Sequence, residues 1–220
     1  ERATRDHPQR VPVEQLKQTS AQLAAALPLL ETCEDLEQLR GLEGEAAQRY
    51  FDRFHALILQ QKEDFVFTSR SRRPPRDNVN ALLSFAYSLL ANDCAAALER
   101  VGLDPYVGFL HRARPGRRSL ALDLMEELRP CLADRFVLTL INNRIVHRDD
   151  FQFRENGAVY LTDSGRKVFL THWQERKKAE LTHPYLGEKI PWGLVPYVQA
   201  LLLARTLRDD LEEYPPFLWK

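Results

Sequence analysis

The residues best suited to chemistry in this chain are a histidine and several acids. His111 ends the run YVGFLH and stands immediately before a basic turn, RARPGRR. Further on, Asp123 and Glu126 lie three apart in a helical pattern, so their carboxylates share one face about a turn high. Glu127, four from Asp123, fits almost as well, and the spacing alone does not separate Glu126 from Glu127. Glu43 sits in RGLEGEAAQRYF between Gly41 and Gly44, whose missing side chains would let a phosphate backbone or another helix come close. Each has an ordinary alternative: His111 as a half-exposed helix-end histidine, Glu43 and Glu45 as solvated acids paired with Arg40 or Arg49. If Glu43, His111 and Glu126 converge, two carboxylates and an imidazole form a donor set that suits Mn²⁺ well and admits Mg²⁺. A cation held there could polarise a phosphodiester, activate a hydroxyl or water, and stabilise the leaving oxygen.

Two arginine runs flank these candidates. One holds Arg70, Arg72, Arg73 and Arg76; the other holds Arg112, Arg114, Arg117 and Arg118 and joins His111 to the acids. Guanidinium forks of this density can neutralise phosphates and place a duplex through salt-sensitive contacts, although a solvated loop is the bland alternative. His55, His147, His172 and His183 have no convincing ligand partners in the sequence, and Met125, Tyr50 and Tyr87 read as core or hydrogen-bonding residues.

The elements that must position these groups are mostly helices. Leu16, Leu23 and Leu27 predict a helix over 13–29, between the prolines at 12 and 28. Apolar residues from Leu36 to Leu57 predict a second over 34–59. Gly41 and Gly44 interrupt it at a cost of about 1 kcal/mol each relative to Ala, which implies a bend or a close approach. The Pro-Pro pair at 74 and 75 ends regular structure. Asp77 or Asn78 can cap a strongly apolar helix over 79–100, and Ser119 can cap another from Leu120 that bends or restarts at Pro130. Between Phe151 and Leu161 the period changes to two around Asn156-Gly157, a strong hairpin signal. Thr162 and Asp163 open a helix through Phe169 and Trp173, and a last one covers 195–211. The fold class expected is all-α with a small β-hairpin insertion near 151–161. Residues 1–12 form a lead-in or linker, 13–214 the helical domain, and 215–220 a C-terminal tail.

Bulk properties restrict the partners. Among 220 residues, 31 basic and 31 acidic side chains cancel, so nucleic-acid binding must rest on local clusters rather than on a global field. Cys33, Cys94 and Cys131 are too few and too scattered for a disulfide framework or a zinc site, and they fit a reducing cytoplasmic setting. No signal peptide is evident, and no apolar run is read as long enough to span a bilayer.

Several blocks, in order, now support a resemblance. RGLEGEAAQRYF, DNVNALLSFAYSLL, GFLHRARPGRRSLALDLMEELRP and FVLTLINNRI resemble successive signatures of the CRISPR adaptation integrase family, and the resemblance extends over most of the chain. It implies that Glu43, His111 and Glu126 hold Mg²⁺ or Mn²⁺, with Asp123 as an auxiliary carboxylate of the site; this selects Glu126 over Glu127. Asn80 matches the polar residue of a DPVN-like block, and Asn78 replaces its usual proline, a departure expected to touch capping more than chemistry. The resemblance further implies a prokaryotic, cytoplasmic endonuclease and integrase that inserts protospacer DNA at CRISPR repeat ends by 3′-hydroxyl transesterification. The implied partners are double-stranded DNA, a second copy of the chain, a small ferredoxin-like adaptation protein, and an iron–sulfur exonuclease, separate or fused upstream. The ending LEEYPPFLWK is similar to subtypes that work with such an exonuclease. Family members begin with a β-rich domain absent from this chain, which is therefore expected to be a C-terminal catalytic part. The competing expectations are a helical DNA-binding module without catalysis and a metal-free scaffold.

Overall fold

In the computed structural model, which describes residues 2–219, the chain is predominantly helical. It divides into two compact units: residues 1–81 with 140–160, and residues 82–139 with 161–220.

The first unit carries α1 (Arg2–Asp6), α2 (Val13–Leu30) and α3 (Leu36–Asp52). Asp35 starts α3 with a side-chain cap, accepting from the amides of Glu37 and Gln38 at 2.8 Å each, the arrangement that satisfies otherwise orphaned helix-start donors. The helix runs unbroken through Gly41 and Gly44, and the space a β-carbon would occupy at either is open. The close approach expected there is absent within the described protein. The lead-in is better anchored than a linker would be: Val11 is buried, and Arg10 donates to the Leu59 carbonyl at 2.7 Å.

Behind α3, an aromatic cluster of Phe51, Phe54 and Phe67 forms the core, with ring centroids 5.2–6.1 Å apart. Asn142 ties segment 140–160 to this unit, accepting from Leu59 N at 2.7 Å and donating to the Leu57 carbonyl at 3.0 Å. The expected hairpin is present as β1 (Phe151–Phe153) and β2 (Val159–Leu161). Gly157 supplies the positive φ of +77° that its turn requires, and Asn156 Oδ1 accepts from Ala158 N.

Helix α4 (Asn78–Arg100) begins in the first unit and belongs mostly to the second. Asp77 caps it, accepting from Asn80 N at 2.7 Å. Asn78, the departure from the DPVN-like block, donates to the Asp64 carbonyl at 2.8 Å. Contrary to expectation, α4 is long and apolar enough by length and hydropathy to cross a bilayer. Half of its most apolar window is buried inside the protein, as in a core helix.

The second unit continues with α5 (Ser119–Leu128), a π-helical stretch (Arg129–Asp134), α6 (Arg135–Asn142, whose last three residues belong to the first unit), α7 (Asp163–Lys178) and α8 (Val195–Leu207). Pro130 removes one ladder donor and steers the chain into the wider π turn instead of ending the helix. Thr162 caps α7 through its hydroxyl and Gly165 N, as the sequence predicts. A second antiparallel pair, β3 (Glu180–Thr182) and β4 (Lys189–Pro191), was not expected; Leu181 faces Ile190 in its register. Three-residue strands leave too short an alternation to register as a pattern. The last helix ends at Leu207, four residues before the expected Leu211. The core of this unit packs Phe136, Phe169 and Trp173 edge to face, with centroids 5.1 Å apart for both Phe136 pairs.

Candidate active site

The geometry around His111 begins with a loop that has no helical structure of its own. Residues 101–118 are held to the start of α5 by three straps. The Pro105 carbonyl accepts from Leu120 N at 2.9 Å and Ala121 N at 3.2 Å, which fulfils the role that a capping side chain was expected to play. Ser119, predicted as that cap, is instead the first helical residue, and its buried hydroxyl donates to the Arg112 carbonyl at 3.0 Å.

The third strap is Asp123. Its Oδ2 accepts from Phe109 N at 2.6 Å and Leu110 N at 3.2 Å, and its Oδ1 accepts from His111 N at 3.0 Å. The same Oδ1 lies 2.7 Å from His111 Nδ1. Burial works to raise the Asp123 pKa, but the bonds from the His111 ring and from the His111 and Phe109 amides outweigh it and hold the carboxyl below its ordinary range. A carboxylate at Nδ1 can only accept, so Nδ1 carries a proton, and in the neutral ring Nε2 holds the lone pair. With 23% of its side chain exposed, His111 is reachable by a ligand.

Gly108 makes this closeness possible. A β-carbon there would lie 2.7 Å from Ser119 Cβ and 2.8 Å from both Asp123 Oδ2 and the Ser119 backbone carbon. Its importance was hidden in the sequence, because packing alone demands the glycine.

The two acids that spacing left equivalent have opposite surroundings. Glu127 is largely enclosed: Tyr214 OH donates to it at 2.5 Å, Phe217 N at 2.7 Å and Gln199 Nε2 at 2.8 Å. Burial pushes its pKa up, only partly offset by those bonds. Glu126 keeps 27% of its side chain exposed and pairs with Arg129, three residues on, at 2.8 Å. Of the two, Glu126 is the carboxylate available to a ligand.

Glu43 lies in the first unit, exposed on α3. Its neighbour Glu45 pairs with Arg49 at 2.6 Å, whereas no hydrogen bond or ion pair to the Glu43 side chain occurs among the described residues. Among those residues, no group of three or more His, Cys, Asp or Glu side chains is arranged to hold a metal ion. The second unit alone therefore offers two donors, His111 Nε2 and a Glu126 oxygen. By donor type, an imidazole oriented by a carboxylate and an accessible acid one turn beyond that carboxylate on α5 suit a divalent cation.

The arginines separate as well. Arg70 turns inward, donating to Asn80 Oδ1 at 2.6 Å, and the fully buried Asn80 also donates to the Ser69 carbonyl at 2.8 Å. Arg72, Arg73 and Arg76 are exposed, as are Arg112, Arg114 and Arg118. Arg118 donates to Asn92 Oδ1 at 2.9 Å, and Arg117 is half-buried. His183, discounted as a ligand, is buried with its Nε2 3.1 Å from Gln199 Oε1. The three cysteines are free thiols.

This helical architecture is shared with a casposase bound to integration product, which superposes with a TM-score of 0.79 at 28% identity, covering 91% of this chain and 56% of that one. A model of the family described as CRISPR associated protein Cas1 matches residues 1–175, and the chain belongs to that family. CRISPR-associated endonuclease Cas1 2 of Rhodospirillum rubrum is 61% identical over 189 residues, covering 86% of this chain and 55% of the relative. A partial Cas6-RT-Cas1–Cas2 complex contains a chain with a TM-score of 0.80 at 25% identity, covering 96% of this chain and 62% of its own. The chain thus spans little more than half the length of relatives it matches. Its relatives are prokaryotic, and the family uses divalent metal ions.

Proposed function

We propose that this chain is the catalytic part of a metal-dependent DNA integrase that joins protospacer ends to a CRISPR repeat. The observation that carries the proposal is the Asp123–His111 bond, which orients the imidazole from the helix that also bears the accessible Glu126, three residues beyond Asp123. Glu43 supplies the third ligand, and its flanking glycines leave α3 open to a phosphate backbone. When bound, Mg²⁺ or Mn²⁺ supplies charge for a polarised phosphodiester and a stabilised leaving oxygen. The residues of the chain do the rest. Asp123 holds the imidazole orientation, and Arg129 screens Glu126 until a stronger cation competes for it. Exposed Arg72, Arg73, Arg76, Arg112, Arg114 and Arg118 bind phosphates; Arg70 is assigned to the fold, not to DNA.

In the reaction, a 3′-hydroxyl attacks a repeat-end phosphodiester. One phosphorus–oxygen bond forms as another breaks, so no high-energy cofactor is consumed. The proposed partners are a second copy of the chain, a small ferredoxin-like protein of the Cas2 kind, and a protospacer-trimming exonuclease. The proposed setting is the cytoplasm. The test is a strand-transfer assay with the full-length protein, a 3′-hydroxyl duplex and a supercoiled repeat-bearing target. Glu43→Ala, His111→Ala and Glu126→Ala should each abolish transfer and leave DNA binding nearly intact. Transfer retained in any of them removes that residue from the ligand set, and transfer unchanged in all three leaves a DNA-binding or scaffold module.

A further inference from the structure

Next to the accessible Glu126 lies an acid that the proposed chemistry does not use. Glu127 is held by residues from two distant parts of the chain: Gln199 on α8, and Tyr214 and Phe217 in the C-terminal segment. The segment is itself anchored, with the Phe217 ring centroid 5.4 Å from that of His183 and 5.8 Å from that of Trp192. Gln199 links these pieces, contacting His183 Nε2 at 3.1 Å and donating to Tyr214 OH at 2.7 Å.

Such an arrangement is an expensive way to fill space. A carboxylate withdrawn from water costs several kcal/mol unless its oxygens are satisfied, and an apolar side chain of similar size would pack there without that cost. What the carboxylate adds is direction, because its three donors approach from fixed positions.

Direction matters at this place in α5. The helix has only 10 residues, and it passes directly into the π-helical stretch Arg129–Asp134, which contains Pro130. The Arg129 amide still bonds to the Met125 carbonyl, but beyond it the ladder changes from the α to the wider π register. Side-chain atoms sit about 5–6 Å from a helix axis, so a roll of about 10° displaces a carboxylate by roughly 1 Å. Functional ligand geometry tolerates only about 0.5 Å. Asp123 restrains the early part of α5 through the 109–111 loop, and Glu127, one turn later, restrains the end.

We infer that the C-terminal segment Tyr214–Phe217 is a positioning element of the site, fixing the roll of α5 through Glu127 so that Glu126 is held ready for a cation. The inference rests on the metal role proposed for Glu126. Glu127, Tyr214 and Gln199 are positioning residues that act through their neighbour.

The test uses the full-length protein and Mn²⁺ as the probe. Tyr214→Phe removes one bond to Glu127 and keeps the ring; Glu127→Gln places an amide group among donors. For each variant, the Mn²⁺ concentration giving half-maximal strand transfer is compared with direct Mn²⁺ binding by electron paramagnetic resonance and with the thermal midpoint. The inference predicts that Tyr214→Phe weakens Mn²⁺ binding about tenfold, the lower end of the usual cost of losing an outer-shell partner, and that excess Mn²⁺ restores the wild-type rate. Glu127→Gln shifts it further in the same direction. A lowered thermal midpoint with unchanged Mn²⁺ affinity in both variants overturns the inference and leaves the segment a packing element. Glu126→Ala separates the two levels. If it keeps wild-type Mn²⁺ binding, the ligand assignment of Glu126 fails and the inference with it. If it loses binding while Tyr214→Phe and Glu127→Gln keep wild-type affinity, only the positioning role fails.

Discussion

His111 and Glu43 face opposite situations, although the same ion is proposed to use both. His111 stands in a loop, yet its amide and ring nitrogen are both bound to Asp123, and neighbouring amides share that carboxylate. Glu43 stands on a regular helix, yet its side chain is exposed and lacks a described partner. Secondary structure is thus a poor guide to preorganisation. A loop whose amides and ring nitrogen converge on one carboxylate can fix a donor more firmly than a helix with open space around it. The difference implies that His111 is held in place by the protein alone, whereas nothing among the described residues fixes the Glu43 carboxylate.

The largest effect that sharpens this contrast should come from the ligands themselves: Glu43→Ala, His111→Ala and Glu126→Ala each reduce strand transfer by about a thousandfold or more, measured as joined product at saturating DNA. Asp123→Asn should come next. It places an amide group among three backbone donors and one ring donor, and should lower stability by about 1–3 kcal/mol in chemical denaturation while also lowering the transfer rate. Equal stability and activity in this variant would remove the prepared loop from the account.

The glycines give a test in opposite directions. Gly108→Ala forces a β-carbon against the Ser119 backbone and should destabilise by about 1–3 kcal/mol. Gly41→Ala and Gly44→Ala meet open space on α3 and should stabilise by up to about 1 kcal/mol each. If DNA approaches α3 closely, the same two variants become more stable and yet transfer more slowly. A stability gain with full activity would show that the glycines do not serve the DNA.

Much of this arrangement was legible in the sequence, and the failures have physical causes. The 3.6-residue period located α2, α4 and α7, and Asn156-Gly157 located the first hairpin, because those signals are local. The spacing of Asp123, Glu126 and Glu127 showed a shared face but not which acid was enclosed. That depends on Tyr214 and Phe217, some ninety residues away, and no local pattern reports such contacts. Ser119 has the right type and place for a cap, but a more distant acceptor, the Pro105 carbonyl, took over the role. Arg70 looked equivalent to Arg72 and Arg73 for the same reason: its partner Asn80 lies across a turn that composition does not describe.

Smaller effects follow from those distinctions. Arg72→Ala and Arg73→Ala should each reduce the salt dependence of DNA binding by about one unit of slope with little loss of stability, whereas Arg70→Ala should lower the thermal midpoint. Smallest is a pH effect at His183, where burial lowers the pKa below its ordinary value. The unfolded chain therefore takes up this proton more readily than the folded one, and stability contributed by neutral His183 is lost as pH falls below the unfolded value of about 6.5 towards the lower folded one. His183→Gln should flatten that part of the thermal-midpoint profile.

The most direct measurement is anomalous scattering from crystals of the full-length protein soaked with Mn²⁺. If the three residues are ligands, a peak should lie about 2.0–2.3 Å from His111 Nε2 and from carboxylate oxygens of Glu126 and Glu43, with Nδ1 still bonded to Asp123. A manganese peak elsewhere, with all three of these side chains uncoordinated, would contradict it.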